Sequence, residues 1–543
     1  MYTPDSVVYL CNVPLEADQK NQLHFGSVSA QTNYFETTVV KELTGFTFVR
    51  RDSAIRCPEN IEDLYNCNYV MYQNSHFTDK WFYAFITELE YLNDAVTAIH
   101  IKTDVFQTWM FDTEILPSFV VREHTSNDTI GANILPEPVE TGPYQYNSAE
   151  DLIDNNELVV IIACSDDAEG SETANNGAFY SGVYQGCGFW CFETSDVEGI
   201  NIFLQNLTAN NKQNSVVSIF MLPRFAVGTF SSGDMLTPRT TATVRAKTLS
   251  ASSVSFFGGY VPRNNKLYTY PYRYLQVNNN SGDSKNYIIE FFGSTLTFNM
   301  TCDISPSPTM VCYPINYNTN GNTTINNDYA EAITFGNFPV CSWKIDSYNQ
   351  WLAENNNRLG AAWTDMVWST VSRAVGSISS GGNSVASATG KGNLVGVGMS
   401  LNSMLASGAQ NIIGLVTDAI SLKARYSDAA SMGNNMHGSV SNALLAQEGL
   451  VNFKGMFMSI TYDYAKVIDD YFTMFGYATN EIKVPNIGTR QNWNYVQTID
   501  IHIQGAIPND DMSELRDIYN SGVTIWNNPD TFGDYSQNNG IVS

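Results

Sequence analysis

Arg122-Glu123-His124 sets a carboxylate and an imidazole side by side, and imidazole titrates near neutrality, so this triplet could seat a general base. Asp166-Asp167 and Asp469-Asp470 are paired carboxylates. Adjacency in sequence does not make two carboxylates converge on a substrate, and the triplet reads more simply as a charged surface turn. Cys187 and Cys191 are separated by three residues, with no second Cys or His pair at similar spacing nearby to complete a zinc site. They read as a buried apolar pair. Ala388-Thr389-Gly390-Lys391-Gly392 resembles a phosphate loop, but Val385 stands where the first glycine is needed, and Gly392 stands where a magnesium-binding hydroxyl is needed. The six histidines show no His-Glu-x-x-His spacing, and no Gly-x-Ser-x-Gly elbow occurs. An enzyme reading has no positive support, and no metal or cofactor is expected.

The strongest anomaly is compositional. From Ser369 to Arg425 there is no Phe, Tyr or Trp, although aromatics make up 13% of the chain. Between Ala374 and Thr417 the only charge is Lys391. Gly392 to Thr417 runs 26 residues without charge, proline or aromatic, longer than the ~20 that a helix needs to cross a bilayer. Gly392, Gly396 and Ser400 form a small-residue ladder that lets apolar helices approach closely. The apolar set is Leu394, Val395, Val397, Met399, Leu401, Met404, Leu405, Ile412, Ile413, Leu415 and Val416. Its Leu, Ile and Val members supply about −4 kcal/mol towards insertion. Asn393, Asn402, Gln410 and Asn411 cost ~1–2 kcal/mol each when unpaired and cancel that gain. One copy is therefore marginal; several copies pairing their amides around a wet lumen are not. The segment reads as a membrane-active or oligomer-interior element.

The elements that must carry it are mainly β. Hydrophobic residues are 43% of the 543, charged residues 15%, and 38 glycines supply turns. Asp and Glu outnumber Lys and Arg by 54 to 28, a net −26, which argues against an electrostatic grip on nucleic acid. Nine cysteines scattered over a long chain read as reduced thiols, and no signal peptide is visible. Trp81–Leu89, Ala98–Val105, Leu158–Cys164, Val216–Leu222, Leu267–Tyr274, Phe453–Tyr462, Trp493–Gly505 and Val523–Trp526 read as strands. In the second of these, Ile99, Ile101 and Val105 face in, against His100, Lys102 and Asp104. Tyr464, Val467, Ile468, Tyr471, Phe472 and Phe475 predict one apolar helix face, and a further helix starts after Pro508 and ends at Gly522.

Three stretches in order, Lys80–Tyr91, Asp104–Asp112 and Ser118–His124, together with Asn494–Thr498 and Ser521–Trp526, resemble the distal tail knob proteins of small short-tailed phages of the phi29 group (Picovirinae-type podoviruses). The resemblance implies an α+β, mainly β fold with barrel- or sandwich-like tube-wall domains assembled as a hexameric hollow cylinder. The resemblance is dense over about 30–145 and 450–535, and with the residue patterns it divides the chain into an N-terminal tube part (1–145), an inserted β-rich knob region (146–345), a helical segment (346–373), an apolar glycine-rich loop (374–435) and a C-terminal tube part (436–543). It implies a virion protein at the distal end of the tail, made in the host cytoplasm. Its partners would be other copies, a proximal tail tube or connector, viral DNA in the lumen and host membrane lipids. The loop would plug the channel and then form a pore. The rival is a pore-forming or adhesin-type oligomeric surface protein.

Overall fold

The computed structural model describes residues 6–46, 49, 51–74, 80–153, 158–165, 178–210, 212, 215–305, 308–318, 329–344, 437–441 and 450–542. The chain is mainly β, with helices at its sheet junctions. It divides into two compact units: residues 1–144, 257–272 and 460–543 form one, and residues 145–256 and 273–459 the other.

The first unit contains a six-stranded sheet in the order Val39–Phe46, Ser6–Cys11, Tyr69–Asn74, Trp81–Asn93, Val96–Thr103, Ala54–Cys57. Alternation sets its register: Val8 lies opposite Tyr72, and Val70 opposite Ala84, so these residues meet on one buried face. Ile99 and Ile101 are buried as their alternation requires, and Val105 is buried on the short helix that follows the strand. Asp104 departs from the expected outward position and is fully buried. The strand stops at Thr103, and Asp104 instead caps the short helix Val105–Trp109, accepting from the Gln107 N–H at 3.1 Å and the Tyr69 hydroxyl at 2.8 Å.

A second sheet of this unit joins the two ends of the chain. Asn21–Leu23 runs parallel to Val523–Trp526, followed by Trp493–Ile499, Ser118–Glu123 and Tyr477–Lys483. Trp493 and Trp526 are cross-strand partners with ring centroids 5.2 Å apart, both fully buried. That pair contributes aromatic packing beyond its area, about 0.5–1.5 kcal/mol. The expected strand Trp493–Gly505 is two strands. It breaks at Asp500, whose φ is +51, and resumes at Ile503–Gly505, which pairs with Thr113–Ile115. Helix Asn509–Ser521 begins after Pro508 and ends at Gly522, as the sequence predicts. The expected strand Leu267–Tyr274 is not formed. A turn from Asn265 to Tyr268 precedes a cis Tyr270–Pro271 bond, and pairing starts only at Arg273. Pro271 has no N–H for a ladder, and Lys266 is needed inward.

In the second unit, Leu158–Cys164 is buried at every position, in the middle of a five-stranded sheet with Gly188–Glu193 and Val216–Pro223 on either side. A strand with both faces covered reads as a continuous apolar run. The same sheet ends on Val340–Lys344 and His437–Ser441, an antiparallel pair in which Lys344 lies opposite His437. Among the described residues this unit also holds the hairpin of Ala178–Tyr180 with Val183–Gln185 and two four-stranded sheets. One runs Tyr144–Asp151, Lys454–Ile460, Arg273–Asn278, Ser284–Tyr287; the other Val244–Leu249, Leu296–Cys302, Met310–Pro314, Ile333–Phe335. Cys187 and Cys191 are both buried, and burial raises both thiols above their usual range, consistent with inert apolar packing.

Candidate functional site

The residues with chemical potential converge at one junction of the first unit, where helix Tyr462–Phe475 meets strand Ser118–Glu123 and the segment 257–272. The helix does not present the expected apolar stripe. Ile468 and Phe472 are buried, but Val467 is 67% exposed and Tyr464 is also at the surface. Asp469 and Thr473 take the inward positions instead. The reason lies on the segment that covers them. The Asp469 carboxylate accepts from the Tyr260 hydroxyl (2.7 Å), the Arg263 N–H (2.9 Å), the Asn264 N–H (3.0 Å) and the Asn264 side-chain amide (2.9 Å). A buried carboxylate is tolerated when its lone pairs are filled in this way. Its neighbour Asp470 points outward, and the two carboxylates share one cation: Arg263 pairs with Asp470 and, at 3.6 Å, with Asp469.

Arg122-Glu123-His124 is not a surface turn. All three residues are buried, at the end of the strand that runs between Trp493–Ile499 and Tyr477–Lys483. Arg122 and Lys266 both pair with Glu137, whose side chain is fully buried. Arg122 also donates to the Gly476 carbonyl at 2.7 Å and lies 4.8 Å over the Tyr471 ring. Burial pushes the Lys266 ammonium down, against the pull of Glu137. Glu123 accepts from the Asn486 N–H at 2.8 Å and from Lys483 at 2.6 Å. His124 Nδ1 accepts from the Tyr495 N–H at 2.8 Å, while its Nε2 lies 3.1 Å from the Thr473 carbonyl. Nδ1 is therefore the acceptor and Nε2 the donor, which fixes the neutral ring. Burial, reinforced by the positive charges of Arg490 and Arg122, pushes His124 down to about 3.

These groups hold one another. The chemistry of the junction is cohesion: ion pairs and hydrogen bonds among Arg122, Glu123, Glu137, Lys266, Asp469 and their partners tie together segments up to several hundred residues apart. Gly476 allows the closest approach. It ends the helix at φ +64, and a Cβ there would lie 2.1 Å from the Glu123 carbonyl oxygen. Sequence reasoning missed Glu137, Lys266 and Asp469 as partners, since spacing carries no sign of pairs so far apart along the chain. The membrane-active residues expected from Gly392 to Val416, the phosphate-loop look-alike and Asp166-Asp167 lie outside the described residues. Among the described residues, no helix is long and apolar enough to cross a membrane, which says nothing of strands.

The C-terminal domain of the tail knob protein gp9 of Bacillus phage phi29 is the family that matches residues 238–540, and the caudoviral major tail protein N-terminus matches residues 4–114. Tail knob protein gp9 of Bacillus phage B103 is 27% identical, covering 98% of this chain and 97% of its own length. That of Bacillus phage phi29 is 26% identical, covering 98% of each. The solved structure of the bacteriophage C1 tail knob protein, gp12, shares the fold at a TM-score of 0.68 and 15% identity, over 99% of this chain and 100% of its own. With more than half its length matched by the gp9 C-terminal family, the chain belongs to the phi29-type tail knob proteins, structural proteins of the virion tail and not enzymes.

Proposed function

We propose that six copies of the chain close into a hollow cylinder at the distal end of the tail, beneath a proximal tube or connector, and that genomic DNA leaves through it. In this reading residues 374–435 first plug the channel and then enter the host membrane as a pore. The observation that carries it is the composition of Ala374–Thr417, with a single charge and no aromatic, although charged residues make up 15% and aromatics 13% of the chain. Strands Val340–Lys344 and His437–Ser441 support it, since their pairing lets the chain leave and re-enter the sheet at one point around residues 345–436. The net charge of −26 per chain supports a conduit that DNA passes without sticking.

The test is dye release from liposomes, comparing the full chain with a form in which residues 374–435 are replaced by a short Gly-Ser link between the two paired strands. The full chain is expected to leak dye and the shortened form to assemble without leaking. Equal leakage from both overturns the assignment of the loop.

A further inference from the structure

The loop that follows strand Ser118–Glu123 in the first unit holds its acids inward and shows its apolar residues. Ile130, Ile134 and Leu135 are all exposed. The carboxylates on either side of them are held by the unit: Asp128 accepts from the Tyr477 hydroxyl at 2.6 Å, and the Glu137 side chain is fully buried against Arg122 and Lys266. No other charged residue lies between Thr129 and Val139. Bonds within the loop fix its shape. The Ala132 N–H donates to the Thr129 carbonyl at 3.0 Å, and the Asn133 amide to the Asn127 carbonyl at 2.7 Å.

A second apolar surface lies at the other end of the same strand. Phe119 is the cross-strand partner of both Ile482 and Ile499, so the three side chains form a row on one face of the sheet. Ile482 is 75% exposed, Ile499 59% and Phe119 38%. Glu481 and Lys483, the charged residues of strand Tyr477–Lys483, lie opposite Val120 and Ser118 and so take the other face. That strand is also the edge of its sheet, where proteins cover or blunt the unpaired backbone.

Each surface offers roughly 200–300 Å² of apolar area, enough for the core of an interface that buries ~800 Å² per partner. Two different surfaces on one unit suit a head-to-tail contact, which generates a ring when its rotation closes; a twofold contact needs only one. Charge narrows the choice of partner. Copies at −26 each repel, and like charges brought face to face oppose binding. A contact between copies therefore calls for surfaces from which acids are withdrawn, as Asp128, Glu137 and Glu481 are. We infer that the loop 129–139 of one copy docks on the Phe119, Ile482 and Ile499 row of the next. This rests on the ring proposed above and names the contact that builds it.

Full-length chains carrying Ile134→Cys, Ile482→Cys or both are treated with a short bismaleimide, with wild type as the control for native thiols. The double variant is expected to give a ladder of up to six chains, and each single variant no more cross-linking than wild type. Ile134→Asp and Ile482→Asp, both at exposed positions, should each raise the concentration needed for assembly at least tenfold. A six-chain mass with no ladder from the double variant, or with undiminished assembly of both aspartate variants, would overturn this contact and leave the ring standing. Cross-linking of either single variant above wild type would show a twofold contact and overturn it too. A wild-type mass of one chain would instead remove the ring, and this contact with it.

Discussion

Buried ionisable groups give the first unit its sensitivity to pH, and two of them act in opposite senses. His124 titrates at about 3 when folded, against 6.5 for the free side chain. Below pH 6.5 the unfolded chain gains a proton that the folded chain refuses, so stability falls as pH drops from there towards 3, by at most ~1.4 kcal/mol per pH unit. Asp104 is raised from 3.8 to about 6 by desolvation, against the bonds it accepts from Gln107 and Tyr69. Its contribution is present below 3.8 and lost as pH rises through 6. Asp104→Asn keeps the helix cap, since Asn caps as well as Asp, and should stabilise the protein at pH 8 by about 2–3 kcal/mol relative to pH 4. Urea midpoints at the two pH values check this, and equal shifts at both would refute it. Glu137→Gln leaves Arg122 and Lys266 facing each other with their shared counter-charge removed. Removing one partner of a buried ionic group costs ~3–5 kcal/mol. A thermal midpoint within a degree of wild type would show that the pairing is not what closes the junction.

At the scale of elements, one contact decides whether the helix–strand junction can form. Gly476→Ala combines a positive φ with a Cβ inside the Glu123 carbonyl, so either the strand or the helix end must move. The expected loss is more than ~2 kcal/mol, beyond the ~1 kcal/mol of an unfavourable φ alone. Gly488→Ala, with open space around it, is the control and should change little. Elements whose pattern is local were legible in the sequence. Ile99 and Ile101 alternate because one face of their strand is buried, and helix Asn509–Ser521 carries its own start and stop in Pro508 and Gly522. Elements decided by distant partners were not. The inward turn of Asp469 depends on Tyr260 and Asn264, some 200 residues away, and the burial of Arg122 depends on Glu137 and Gly476. Pro271 marked an irregularity in the aromatic run, but only the inward pull on Lys266 replaced the strand before it with a turn. The family itself was legible from an ordered set of short stretches, because their order carries information that no single stretch has.

For the whole molecule, the proposal joins assembly to membrane entry, and the two separate by mutation. The first unit draws its sheets and its ionic junction from residues 1–144, 257–272 and 460–543, so substitutions between Gly392 and Thr417 leave every contact described for it intact. Val397→Asp, Leu405→Asp and Ile413→Asp should therefore assemble to the mass of six chains by light scattering, like wild type. Insertion is different, because the apolar gain of one copy and the cost of its amides nearly cancel. Each aspartate adds ~2.5–3.5 kcal/mol at the bilayer centre, against roughly −4 kcal/mol for the whole apolar set. In the proposed hexamer the penalty multiplies, since a shared lumen would bring six carboxylates together in place of six aliphatic groups. Leakage from liposomes should then fall to background for all three variants while the assembly mass is unchanged. Variants that assemble and leak like wild type would make the segment internal packing. A wild-type mass of one chain at micromolar concentration would remove the ring, and with it the cooperation between copies that a marginal segment needs.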